Sequence, residues 1–88
     1  MSLTYTQHAE LRLNQRNITK PECELAVTSD KEFWTTKLKA GDHLRFTWPK
    51  VGNNCVTVIT DKSGQRVVTV FKGAPTGWDT PAKIEAGF

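Results

Sequence analysis

Apolar and polar positions change period once along this chain, near residue 31, where helical spacing gives way to strict alternation. From Gln7 to Arg16 the run Q-H-A-E-L-R-L-N-Q-R sets Ala9 and Leu13 on a narrow apolar stripe. His8, Arg12 and Arg16 line one edge of that stripe when successive residues turn by about 100°. Thr4, Tyr5 and Thr6 form an extended or β-prone lead-in, and Thr6 is a suitable N-cap. Asn17 ends the helix, because asparagine tolerates the left-handed backbone used at helix C-termini. Thr19 then opens a second helix: Glu22 completes a capping box and Pro21 sits in the first turn. Cys23, Ala26 and Val27 share its apolar face, so helices are expected over 7–16 and 20–28.

Beyond Lys31, β-branched and aromatic residues dominate, and four strands are expected over 32–38, 43–48, 54–60 and 66–72. Ala40–Asp42 and the D-K-S-G run at Asp61–Gly64 supply turns, and Pro49 to Asn53 is a loop hinged at Gly52. Short connections throughout imply an antiparallel meander. Alternation gives Leu44, Phe46, Trp48, Val56, Val58, Val68 and Val70 to the face covered by the helices. Arg45, Thr47, Thr57 and Thr69 fall on the other face. The fold expected is therefore α+β: one domain of two N-terminal helices on a four-stranded antiparallel sheet. An irregular tail over 74–88 follows, and its Trp78, Ile84 and Phe88 suit packing across the domain.

Composition adds bounds more than answers. At 88 residues, 38% hydrophobic and 24% charged, the chain suits a small soluble domain with a limited core. A net charge of +3 favours an anionic partner without amounting to a polycationic tail. Cys23 and Cys55 have no neighbouring Cys or His at metal-ligand spacing, so no metal and no cofactor is expected. Both sit in apolar patterns that suit buried free thiols, with a disulfide left open. No apolar run approaches the roughly 20 residues of a membrane span, and the expected location is the cytoplasm. Glycine-rich phosphate loops, GxSxG, HExxH and zinc-deaminase signatures are all missing.

What chemistry the sequence offers concentrates on the first helix. RNA cleavage without a metal requires proton transfer at the 2′-hydroxyl and the leaving oxygen, with cations for charge developing on phosphate. Histidine exchanges protons near neutral pH, and guanidinium presents paired donors to phosphate. His8, with Arg12, Arg16 and Arg45, can supply these functions, and Thr69 can add a hydroxyl. A histidine packed at a helix start beside a solvated basic edge explains the same residues. Trp34 could stack a base, whereas Trp48, alternating with Leu44 and Phe46, belongs to the core. His43, just after a turn, is expected to be exposed, and Lys72 ends the last strand. Arg45, Trp34, Lys72 and His43 are thus the candidate RNA contacts.

The run H-A-x-x-R-x-x-x-R-x-I-T at His8 to Thr19, the second helix, and the segments C-V-T-V-I-T and R-V-V-T-V-F together resemble a family of uncharacterised bacterial and phage domains. That family stands near the RelE-type toxins, within the wider group built on a barnase, EndoU, colicin and RelE core. The resemblance spans about Tyr5 to Lys72. It implies two helices on a four-stranded antiparallel sheet, metal-independent ribonuclease activity, and neutralisation by an antitoxin or immunity protein. It assigns the active positions to His8, Arg12, Arg16 and Thr69. The chain departs from the RelE toxins proper in lacking a dense Lys/Arg sheet face and a terminal Tyr or His in its last strand.

Three readings follow. The first is a small toxin-type ribonuclease acting on RNA as a monomer or homodimer. The second is a non-catalytic phage or mobile-element accessory protein that binds a host protein or RNA. A helix-turn-helix DNA binder ranks last, since Glu22 and Glu24 lie where a reading helix needs donors.

Overall fold

The structure is a computed structural model that describes residues 3–39, 41–49 and 55–72. Its elements are β1 (Thr4–Tyr5), α1 (Gln7–Gln15), α2 (Lys20–Ser29), β2 (Trp34–Leu38), β3 (Gly41–Trp48), β4 (Val56–Asp61) and β5 (Arg66–Lys72). The strands form one sheet in the order β1-β5-β4-β3-β2. The α+β class and both helices agree with the sequence reading. The four-stranded, purely antiparallel meander does not: Thr4 and Tyr5 add a fifth strand parallel to β5, opposite Arg66 and Val67. A two-residue strand is too short to show alternation, and its partner lies some 60 residues away.

Local chemistry explains the helices. Thr6 accepts from the Ala9 amide at 3.0 Å and starts α1. The Thr19–Glu22 capping box starts α2, with the Thr19 amide donating to Glu22 Oε1 at 2.9 Å. The backbone and side chain of Thr19 hold the Glu22 carboxyl below the usual carboxylate range. Between the helices Asn17 adopts φ 53°, the left-handed turn expected of it. Gly64 adopts φ 76° in the β4–β5 turn, a region costly for any side chain.

Both helices lie on one face of the sheet, α1 over β5 and α2 over β3 and β4. Ala9 and Leu13 from α1 and Cys23, Ala26 and Val27 from α2 meet Phe46, Val56, Val58, Val67 and Val70 in the main core. The opposite face carries a second cluster of Leu38, Ile59 and Phe71. Cys23 and Cys55 are both buried thiols. Burial pushes the Cys23 thiol up to about 12, so it is inert as a nucleophile at neutral pH.

Alternation misassigns one position in β5. Ile59 lies opposite Thr69, but Thr60 lies opposite Val67, so Val68 is an extra residue in a β-bulge. The bulge turns Val67 into the main core in place of Val68, which is only half-buried. Two other expectations fail for related reasons. β3 begins at Gly41 rather than residue 43, which draws His43 inside the sheet between Thr36 and Asp61, 7% exposed. Trp48 is not in the core but exposed, being the last residue of β3 at the strand's end, while Phe46 is buried and meets Phe33 at 4.8 Å between ring centroids. The expected loop at residues 50–53, the start of a strand at 54 and the tail over 74–88 lie outside the described residues.

The bulge sets a contrast that equilibrium unfolding in urea can read. Val67→Ala is expected to cost roughly 1–3 kcal/mol, as for deletion of buried methyl groups, and Val68→Ala less than half of that.

Candidate functional site

α1 runs beside β5 where β1 has already ended, and polar side chains join the two along this seam. Thr6 Oγ1 donates to the Val68 carbonyl at 3.3 Å, and one nitrogen of Arg16 donates to the Val70 carbonyl at 2.6 Å. These contacts fall on either side of Thr69. The helix edge carrying His8, Arg12 and Arg16 is therefore held lengthwise against the β5 segment that contains Thr69. Position and spacing follow from helix geometry: residues four apart stack on one edge, about 6 Å along the axis.

Within the seam, Arg12 Nε donates to His8 Nε2 at 3.4 Å, and a second Arg12 nitrogen donates to Gln15 Oε1 at 2.6 Å. An imidazole nitrogen that accepts from guanidinium carries no proton, so this contact belongs to the neutral ring protonated at Nδ1. At 3.4 Å it is a long hydrogen bond, easily exchanged for a stronger acceptor such as phosphate. Arg16 also lies over the Phe71 ring, 5.4 Å from its centroid. Phe71 belongs to the sheet face away from the helices, so Arg16 reaches round the sheet edge. Burial, and then repulsion from Arg12, pull the Arg16 guanidinium below its ordinary value. It stays cationic nonetheless.

Thr69 is fully buried, and its hydroxyl has no hydrogen-bond partner among the described residues.

The remaining candidates lie elsewhere. Trp34, Arg45, Ile59 and Thr69 form one row across β2, β3, β4 and β5, so Arg45 stands two strands from Thr69, about 10 Å. Arg45 packs over the Trp34 ring at 5.6 Å, and Trp34 is 61% exposed at the sheet margin. Lys72 alternates with Thr69 and Phe71 onto the helix-bearing side, where its charge helps hold the Glu22 carboxyl down. His43 Nδ1 donates to the Gly41 carbonyl at 2.8 Å inside the sheet, which excludes the exposed contact expected of it. The structure thus brings His8, Arg12 and Arg16 along the β5 edge at Val68–Val70, whereas the Thr69 side chain is buried on the opposite sheet face with Ile59 and Phe71. It leaves Arg45 with Trp34, and Lys72 and His43 apart from both.

Two residues make structural contacts that the sequence reading did not name. Asp30 is buried, accepting from the Glu32 amide at 3.0 Å and the Thr47 amide at 2.9 Å, and it ties the end of α2 to β3. An aspartate directly after a helix is the signal for such a turn. Phe71, the base under Arg16, was open to alternation from Thr69.

Among the described residues no three His, Cys, Asp or Glu side chains gather as metal ligands, and no helix is long and apolar enough to cross a membrane. No protein family, no curated protein sequence and no solved structure gives a significant match to the chain.

Arg16 closes a strand-edge carbonyl, so removing its charge has a structural cost. Arg16→Met, which keeps the aliphatic stem, is expected to lose about 1–2 kcal/mol in urea unfolding, and Arg16→Lys less.

Proposed function

We propose that this chain is a small RelE-like, toxin-type ribonuclease that cleaves RNA phosphodiesters without a metal, with its site in the α1–β5 seam. The observation that carries the reading is the Arg12–His8 contact at 3.4 Å, with Arg16 one turn further along the same edge. One proton-transfer group and two fixed cations then face the same stretch of surface.

In this mechanism the scissile phosphate draws the Arg12 guanidinium away from His8 and frees Nε2. His8 Nε2 takes the proton of the 2′-hydroxyl, and the 2′-oxygen attacks phosphorus. Arg12 and Arg16 hold the charge that accumulates on the phosphoryl oxygens. The bond to the 5′-oxygen breaks, leaving a 2′,3′-cyclic phosphate; the departing oxygen takes a proton from water, and the hydroxide so formed takes the proton held on His8 Nε2, restoring the neutral ring. Thr69, buried on the opposite face of β5, has no part in the chemical step. Arg45 and Trp34 stand about 10 Å or more from Thr69 across the sheet and have no part in the chemical step. A cytoplasmic location, and an antitoxin or immunity protein that covers the seam, belong to the same proposal.

A second reading has its own observation. Among the described residues the seam offers one imidazole and no second acid, and one Arg16 nitrogen already serves the sheet edge. A non-catalytic accessory protein that holds RNA or a host protein on this surface needs no more than that.

RNA digestion in EDTA separates the two. The ribonuclease reading expects cleavage by the wild type, a loss of 100-fold or more in His8→Ala, and cyclic-phosphate ends on the product. Binding without cleavage by the wild type supports the accessory reading, and equal cleavage by both proteins removes His8 from the mechanism.

A further inference from the structure

Two nitrogens of Arg12 meet acceptors on its own helix. Nε donates to His8 Nε2 at 3.4 Å, and Nη1 donates to Gln15 Oε1 at 2.6 Å. The first bond joins residues four apart and the second residues three apart, so the acceptors stand on one helix edge, a turn before and a turn after the guanidinium. The two bonds differ in strength. The one to Gln15 is short and charge-assisted, whereas the one to His8 is near the length at which a hydrogen bond ceases to count. A guanidinium is a rigid plane with its donors spread over three nitrogens. It can therefore give up the contact at Nε and keep the contact at Nη1.

Charge and chain freedom both work against Arg12 staying at this edge. Arg16 stands one turn further on, and the Arg12 charge adds to burial in pulling its guanidinium below the ordinary value. Arg16 is fixed at the Val70 carbonyl, so their repulsion acts to move the half-buried Arg12 outward. The long arginine stem has many rotamers into which it can swing. Gln15, exposed on the same helix, opposes that motion with an uncharged oxygen. A carboxylate in its place would hold Arg12 more strongly, but it would also repel a phosphate.

We propose that Gln15 is the positioning residue of the seam, its side-chain oxygen serving as the pivot on which Arg12 turns from His8 to a phosphate group of RNA. The inference rests on the ribonuclease reading of this seam and deepens it, because that reading requires Arg12 to leave His8 while its charge stays at the edge. When the phosphate displaces His8 from Nε, the bond from Nη1 to Gln15 persists and limits how far the guanidinium can travel. His8 Nε2 is released, and the cation remains beside it. In this role Gln15 acts through Arg12 and touches no reacting atom. The working edge of α1 then comprises His8, Arg12, Gln15 and Arg16.

Gln15→Met tests the pivot, because methionine keeps the length and helix preference of glutamine and removes the acceptor oxygen. A double-mutant cycle with Arg12→Ala reads RNA cleavage in EDTA and affinity for a short uncleavable 2′-O-methyl RNA. The proposal expects Gln15→Met to cost about three- to tenfold in kcat/KM and in affinity, the worth of one hydrogen bond. In the Arg12→Ala background the same substitution costs less than about twofold, and in neither background does the thermal midpoint change. Nuclear magnetic resonance supplies a readout that a merely structural role would not move: the Arg12 Nε–H exchanges with water faster in Gln15→Met, both free and with the 2′-O-methyl RNA bound. Unchanged cleavage and affinity in Gln15→Met, an equal loss with and without Arg12, or an Arg12 signal indifferent to residue 15 overturns the pivot and leaves the ribonuclease reading standing. Where the wild type binds RNA without cleaving it, the cycle on affinity decides the pivot by itself. A wild type that neither cleaves nor binds RNA overturns the ribonuclease reading, and the pivot with it.

Discussion

The structure depends on how the outer edge of β5 is finished. β1 pairs with only its first two residues, after which the strand runs on with carbonyls facing outward. A strand edge left open is both a desolvation cost and a template for aggregation. α1 resolves this by lying along the open stretch, with Thr6 at one end and Arg16 at the other. Thr6 has two functions at once, capping the helix and holding the strand. Because the helix is fixed by its ends, the edge between them has a defined place, and His8 and Arg12 stand on that edge.

Much of this was legible in the sequence, for physical reasons that differ by element. The capping box at Thr19 and Glu22 is a local motif whose partners are three residues apart, so no tertiary information is needed to read it. Ala9 and Leu13 are likewise the buried residues of α1 that helical spacing names. In β5, V-V-T-V-F reads equally well in either parity, since Val67 and Val68 are identical in kind, and only the bulge decides which enters the core. β1 was legible as an extended, β-prone lead-in but not as a member of the sheet, because two residues carry no period and the partner is distant in sequence. His43 was misread through a boundary two residues off, and boundaries are what local patterns specify least.

The candidate site divides along the same line. His8, Arg12 and Arg16 lie on one helix, so their common edge follows from a single periodicity. The docking of α1 on β5 rests on side chains reaching the Val68 and Val70 carbonyls and leaves no pattern in sequence, and Thr69 between them points to the other face of the sheet. Arg45 was grouped with them by strand parity alone. Parity gives its face correctly, but two intervening strand spacings separate it from the seam, and Trp34 is its neighbour. Sequence reading thus identified faces well and distances poorly.

The central claim is that α1 and β5 form one anion-receiving seam, and nuclear magnetic resonance titration with a short uncleavable 2′-O-methyl RNA addresses it most directly. The account predicts that the His8 ring, the Arg12 and Arg16 guanidinium signals and the amides of Thr69 to Phe71 shift together and saturate with one dissociation constant. Shifts confined to Trp34 and Arg45, or a titration in which the seam signals do not move, would contradict it.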